Sequence, residues 1–349
     1  MNTNSQNNPK RSLRIAFVFT SHRYKTIDKM RHGQDADTSL RGLNHMAGAD
    51  YFIIPSKSMR AVTFIPRLLS YDFIIAQDNL LLGYFISLFS KICGLKTRWL
   101  YIAMNSSTLI KRHTTHHARL FLLKKFWSSY ARIICLSTEQ SDDFLKLGIP
   151  KTNLTFIPFA VDTDFYKSVD RQQEEDLILS VGRDAGRDYV TLFRVAEQVA
   201  YKFIVVASHK NIPPDMHVPP NVSVLYDRNL IEVRDLYKRA KLVVIVSKDA
   251  LVPDGSDCSG QTVILDALAA NKTVIATRRS WITDYFIPGQ DLVMVEPNDP
   301  GALVQAIDGM WYDAEKRKKL AVSGHNKMTT RYSTKNLAKA LIDLMNSFS

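Results

Sequence analysis

Cysteine is scarce and scattered. The three in 349 residues, Cys93, Cys135 and Cys258, lie far apart and share no metal-type spacing, so neither a disulfide framework nor a zinc site is built on them. No apolar signal region precedes the first strand in "MNTNSQNNPKRSLRIAFVF". The expectation is a reducing, cytoplasmic compartment. Long apolar runs are also missing: "LLLGYFISLFS" (80–90), the longest in the first half, is closed by Lys91 and falls well short of the roughly 20 residues that span a bilayer. It reads as a core helix, or as the apolar side of an interfacial helix flanked by "KICGLKTR". "RHGQDAD" (31–37) and "GADYF" (48–52) lack the regular glycines of a dinucleotide fingerprint, and no repeat of solenoid length occurs.

Acid is scarce in one half only. Residues 1–165 hold 22 Lys and Arg against 11 Asp and Glu, residues 166–349 hold 24 against 23, so nearly all of the net +12 lies in the first half. A basic half meets something anionic: a membrane surface, a polyphosphate or a nucleic acid. Within it, "IKRHTTHHARLFLLKKFWSSYARI" (110–133) mixes Arg112, Arg119, Lys124 and Lys125 with Phe121, Leu122, Phe126 and Trp127. Its His113, His116 and His117 lack a supporting carboxylate at metal spacing and read as a polar face.

What is abundant is the short apolar strand. The chain is longer than one hydrophobic core usually serves, which predicts two domains. After a disordered start (1–12), strands are expected at 13–19, 51–55, 71–77, 97–104, 131–137 and 154–159. A charged linker, "KSVDRQQEED" (167–176), precedes a second series at 177–182, 201–208, 222–226, 241–247, 272–277 and 292–296. Continuous apolar strands alternating with helical segments predict parallel sheets covered on both faces. Two doubly wound domains in tandem follow, 13–165 and 166–325, with a final amphipathic helix (326–349) packing back toward the first. Ligands of such sheets sit beyond the carboxyl ends of the strands, which places the site in a cleft between domains.

"SDCSGQTVILDALAANKTVIAT" (256–277) concentrates the chemistry. A Ser-Gly-Gln-Thr turn leads into an apolar helix that carries one acid, Asp266. Ser259, Thr262 and Asp266 fall at i, i+3 and i+7 and share one face. The expectation is that the free N–H groups of Ser259, Gly260, Gln261 and Thr262 receive an anion, while Asp266 accepts hydrogen bonds from a neighbouring diol. An anion beside a diol describes a nucleotide, with its diphosphate and ribose.

In order, "FIPFAVDTDFY" (156–166), "SVGRDAGRDYVTL" (180–192), the segment above and "ITDYFIPGQDLVMVEPND" (282–299) resemble the retaining, nucleotide-sugar-dependent glycosyltransferases of family four, the group 1 transferases. The resemblance covers 150–349 and implies the GT-B fold. It implies that Gly182 and Arg183 match the family's Gly-Arg, that Arg187 stands near the family's diphosphate-holding Lys, and that Asp266 matches the second Glu of its Glu-x7-Glu motif, the ribose ligand. Two arginines suit a diphosphate, since each offers a fixed charge and bidentate geometry. The first Glu is absent, because eight residues before Asp266 stands Cys258; Asp257 or Asp254 is left to take its place, with Asp257 the donor-binding choice. Where the family often places a His after the fourth strand this chain has "YIAMNSS", which makes Asn105 the candidate for sugar contact, beside Arg183 and Arg187 as the catalytic charges. "DTD" (162–164) lies at the hinge rather than at the metal position of the other large glycosyltransferase fold, so no metal is expected.

The implied activity is transfer of a sugar from a UDP- or GDP-linked donor, without further cofactor, to a glycan or lipid-linked acceptor in cell-surface polysaccharide or glycolipid synthesis. The implied partners are an anionic membrane surface and no nucleic acid, for which no recognised module is present. The rival reading is a sugar-nucleotide-binding subunit of low activity, motivated by the missing Glu and His.

Overall fold

The computed structural model describes residues 13–20, 22–54, 59–77, 80–167, 174–249 and 255–348. The expected 1–12 segment, the middle of the 167–176 linker and Asp254 lie outside them. Among the described residues, twelve strands form two six-stranded sheets in which every pair is parallel. The first sheet contains β1 (Ile15–Phe19), β2 (Asp50–Ile53), β3 (Phe73–Ala76), β4 (Arg98–Ala103), β5 (Arg132–Cys135) and β6 (Leu154–Phe156). The second contains β7 (Leu177–Val181), β8 (Lys202–Ala207), β9 (Val222–Tyr226), β10 (Leu242–Ile245), β11 (Val274–Thr277) and β12 (Val293–Val295). Strands such as IAFVF and LVVI are buried along their whole length because helices cover both faces of each sheet.

The strand orders locate the site. The second sheet runs β12-β11-β10-β7-β8-β9, so the winding of the strand order reverses between β7 and β10, and the loops leaving those two strands flank a crevice at their carboxyl ends. The first sheet, β2-β1-β3-β4-β5-β6, has its own switch between β1 and β3. One apolar cluster lies within each domain, around Trp99, Trp127 and Phe144 in the first and around Phe193 and Leu192 in the second. A third is continuous through both, from Phe17 and Phe159 to Leu265 and Leu341.

The chain crosses between domains twice, and the crossings lie side by side. Val161 N–H donates to Tyr332 O (3.0 Å) and Thr334 N–H donates to Val161 O (3.1 Å). The single helix expected over 326–348 is broken there: helix Ala314–Arg331 ends, and Ser333 caps a new helix, Thr334–Asn346, through Asn336 N–H. The break redirects the chain onto the first domain, where Ala338 packs against Gly42 and Phe348 lies beside Phe73 (5.7 Å) under the guanidinium groups of Arg98 and Arg132. At the first crossing the linker's last three acids are held by the second domain: Glu174 by the buried Lys272, Glu175 by Arg239 and Asp176 by Lys241.

Candidate active site

The loop leaving β7 begins with Gly182 because the Arg187 guanidinium lies where any side chain there would go. Arg187 is 6% exposed. Nη1 reaches Ser247 Oγ at 3.4 Å, Nε has no partner, and no carboxylate comes within ion-pair distance of it among the described residues. Burial lowers its pKa, and the nearby Tyr189 and Asp184 only partly oppose this. A desolvated guanidinium compensated only from beyond ion-pair distance by Asp184 is costly, and the matching occupant is an anion. Arg183, by contrast, is exposed and donates to Arg228 O at 2.6 Å.

Asp184, which belongs to none of the family motifs, organises both loops. Its carboxylate accepts from Gly186 N–H (2.8 Å), Ser256 N–H (3.0 Å) and Ser259 Oγ–H (2.9 Å). Burial pulls its pKa upward, but these three bonds and Arg187 outweigh it and hold the carboxyl below its ordinary value. The only available signal was its position between Gly182-Arg183 and Arg187.

The helix that carries Asp266 differs from expectation at its start. Gly260 sits in the left-handed region (φ 88°), with Arg187 Nη1 against it, and the helix runs Gln261–Ala269. Residues 256–260 form turns in which Ser259 N–H donates to Ser256 O and Gln261 N–H to Cys258 O. Of the four amides expected to be free, two are therefore already used. Ser259 does not share a helical face with Thr262 and Asp266 either, because it precedes the left-handed turn and its hydroxyl is held by Asp184. Gln261 is buried, with Nε2 lacking a partner. Thr262 and Asp266, one turn apart, both line a cavity of about 250 Å³ between the domains, with Leu230 from the second domain and Thr38, Arg41 and Phe159 opposite.

Asp266 is 7% exposed, and burial pushes its carboxyl up to about 7. The neighbouring Tyr166 hydroxyl works against the shift, and the charge of Asp162 adds to it. The two acids of "DTD" part company: Asp162 caps helix Thr163–Tyr166 and accepts from Asp37 N–H (3.0 Å), while Asp164 pairs with Lys167. Arg41, which carried no sequence signal, stacks on Phe159 (4.5 Å) and donates to Gln77 Oε1 (3.1 Å). Asn105 is exposed at the end of β4 and precedes helix Ser106–Arg112 without capping it through its side chain. Cys258 is half-buried, and desolvation raises its thiol well above the ordinary value. Asp257 crosses the cleft and bonds to the first domain.

Residues 177–313 match a family model described as Glycosyl transferases group 1, a stretch that holds Arg183, Asp184, Arg187, Thr262 and Asp266. No curated protein matches by sequence. Among solved structures the chain is similar to Anabaena HepE in complex with UDP and glucose, at TM-score 0.71 and 16% identity over 96% of this chain and 100% of that one. It is also similar to a glycosyltransferase from Rickettsia africae (TM-score 0.68, 13% identity, 97% and 98% covered). A third is sucrose-phosphate synthase from Thermosynechococcus elongatus (0.64, 15%, 97% and 99%). At these identities the likeness establishes the architecture, two Rossmann-like domains in the GT-B arrangement, and the family match over the second domain supports a glycosyltransferase.

Proposed function

We propose that this GT-B glycosyltransferase moves a sugar from a nucleoside-diphosphate sugar, UDP- or GDP-linked, to a glycan or lipid-linked acceptor. The observation that carries the donor half is Arg187, a buried cation with no carboxylate within ion-pair distance among the described residues, beside the start of the helix that carries Asp266. The diphosphate sits against Arg187 and the helix start, with Arg183 at the rim and the ribose diol on Asp266. As the bond from the sugar carbon to the diphosphate breaks, negative charge grows on the departing oxygen. Arg187 and Arg183 stabilise it without reorganising, usually the largest single contribution to such catalysis. They supply the positive charge a divalent ion would otherwise bring, so transfer proceeds without a metal, and retention of configuration follows the family resemblance.

The acceptor half is supported by the first domain's surface. From Asn79 to Thr138 the chain has no acid at all and nine Lys and Arg. Helix Leu80–Ile92 buries Leu82 and Ile86 and exposes Leu81, Phe85, Leu88, Phe89 and Ile92. Beside it, helix His117–Ser128 exposes Phe121 and Leu122 among Arg119, Lys124 and Lys125. No helix of the described residues is long and apolar enough to cross a membrane. An apolar ridge among bases suits adsorption to an anionic bilayer from the cytoplasmic side, where a lipid-linked acceptor in polysaccharide or glycolipid synthesis would be met.

The test is a screen of nucleotide sugars for release of nucleoside diphosphate by the purified protein, with and without membrane extract. Release from one donor, abolished in Arg187→Ala, is the expected result. Nucleotide binding with no release under any condition would favour the binding-subunit reading instead.

A further inference from the structure

The loop between β10 and the donor helix sends one carboxylate out of its own domain. Asp257 Oδ2 accepts from Ser107 N–H at 2.7 Å and Oδ1 from Thr108 N–H at 2.5 Å, both in the helix that follows β4. Oδ2 also accepts from Gln140 Nε2 at 3.0 Å. Gln140 is 1% exposed and is held for this contact: its Oε1 accepts from Leu136 N–H (2.7 Å), and its Nε2 donates as well to Ala103 O (2.9 Å). On its own side, the Asp257 carbonyl accepts from Arg279 Nη2 (3.3 Å), whose Nη1 donates to Lys248 O (3.2 Å).

We infer that Asp257 is an interdomain clasp, a positioning residue that ties the donor loop to the acceptor-side domain and holds the cleft shut. The order of contacts along the first sheet supports a clasp rather than a pivot. Beside the hinge, Tyr285 Oη donates to Leu136 O and accepts from Phe159 N–H. At the end of β5, Asp284 accepts from Thr138 N–H and Oγ1–H, both at 2.8 Å. Asp257 reaches one strand further from β6 and the hinge, to the end of β4, where a small rotation about the hinge opens a wider gap than at β5. The loop it holds also carries Ser256 and Ser259, both bonded to Asp184 beside Arg187. Closing the clasp therefore brings the wall of the anion pocket up to the acceptor domain, and opening it lets donor in and nucleotide out.

The effect on transfer rests on the glycosyltransferase reading; the effect on shape does not. The experiment compares wild type, Asp257→Ala, Asp257→Asn and Arg187→Ala in three measurements: small-angle X-ray scattering, affinity for UDP and GDP by calorimetry, and steady-state donor hydrolysis. Asp257→Ala should enlarge the radius of gyration, leave nucleotide affinity within about twofold, and lower kcat about ten- to a hundredfold with little change in donor KM, the range expected from losing charged hydrogen bonds. Asp257→Asn, which keeps the shape but turns an amide group toward donors, should fall between and covers the case in which the alanine variant does not fold. An unchanged scattering profile overturns the clasp. So does a loss of nucleotide affinity as large as that of Arg187→Ala, which would make Asp257 a donor ligand. If wild type hydrolyses no donor, the functional reading fails while scattering still decides the clasp.

Discussion

Replacing Asp266 with Asn should strengthen the substrate-free protein at pH 8 while weakening its hold on ribonucleotides. Folding buries this carboxyl and raises its pKa from 3.8 to about 7, against the opposing pull of the neighbouring Tyr166 hydroxyl and with added repulsion from Asp162. Below 3.8 the group is neutral in both the folded and the unfolded chain and contributes nothing. Between 3.8 and 7 the unfolded chain loses the proton that the folded chain keeps, so folding stability falls across that window and stays reduced above it. A gap of about three units corresponds to roughly 4 kcal/mol. Water entering the adjoining cavity screens the charge, so the gain on removing it should be about 1–3 kcal/mol at pH 8 and should shrink toward pH 5. Urea unfolding of both proteins from pH 5 to 8 reads the first effect. Calorimetry with a ribonucleoside diphosphate and its 2′-deoxy counterpart reads the second: wild type should prefer the ribonucleotide, and the mutant should lose most of that preference, about ten- to a hundredfold for a charged hydrogen bond. Equal stability at pH 8 together with a surviving ribose preference would refute both the buried charge and its role.

Gly182→Ala should push the Arg187 guanidinium out of place and cost about tenfold or more in nucleoside-diphosphate affinity in a protein that remains folded, measured by calorimetry and circular dichroism; unchanged affinity would show that the guanidinium is not the anion ligand. Binding to anionic vesicles should weaken as salt rises, since exposed charges are screened beyond about 8 Å at physiological ionic strength, and should fall further in Phe85→Ser with Phe121→Ser; equal sedimentation with neutral vesicles would count against the membrane surface. Lys327→Ala should cost about 2–4 kcal/mol by urea unfolding at pH 7, because it strips the cation from the fully buried Asp291 and leaves Ser323 and Ile287 N–H as its partners. Burial raises the Asp291 pKa, but those bonds win and hold it below 3.8, so this stabilisation is present above 3.8 and is lost as pH falls through the lowered value; the mutant's deficit should narrow in acid.

The strands were legible because a parallel sheet covered on both faces needs continuous apolar runs, and "LVVI" or "RIIC" has no other stable use. Their order, and with it the crevice between β7 and β10, follows once the sheets are doubly wound. Gly182, Arg183 and Asp266 were singled out by resemblance to family motifs that lie within one loop and one helix. What spacing could not convey is depth: Arg183 and Arg187 look alike in sequence, yet one is exposed and the other is buried against Gly182, where no side chain would fit. Helical phase also failed where backbone geometry interrupts it, since a left-handed Gly260 resets the count and separates Ser259 from Thr262 and Asp266. The break at Tyr332–Ser333 was signalled locally, since Thr329, Thr330, Tyr332, Ser333 and Thr334 are weak helix formers and Ser333 is a favoured N-cap, but the amphipathic pattern on both sides hid it. Asp257 was least legible. Its partners lie 117 to 150 residues away in the other domain, and nothing local distinguishes a carboxylate that faces its own pocket from one that bridges a cleft. Residues whose role is set within one element can be read from pattern, whereas those that couple domains become visible only when both faces of the cleft are in place.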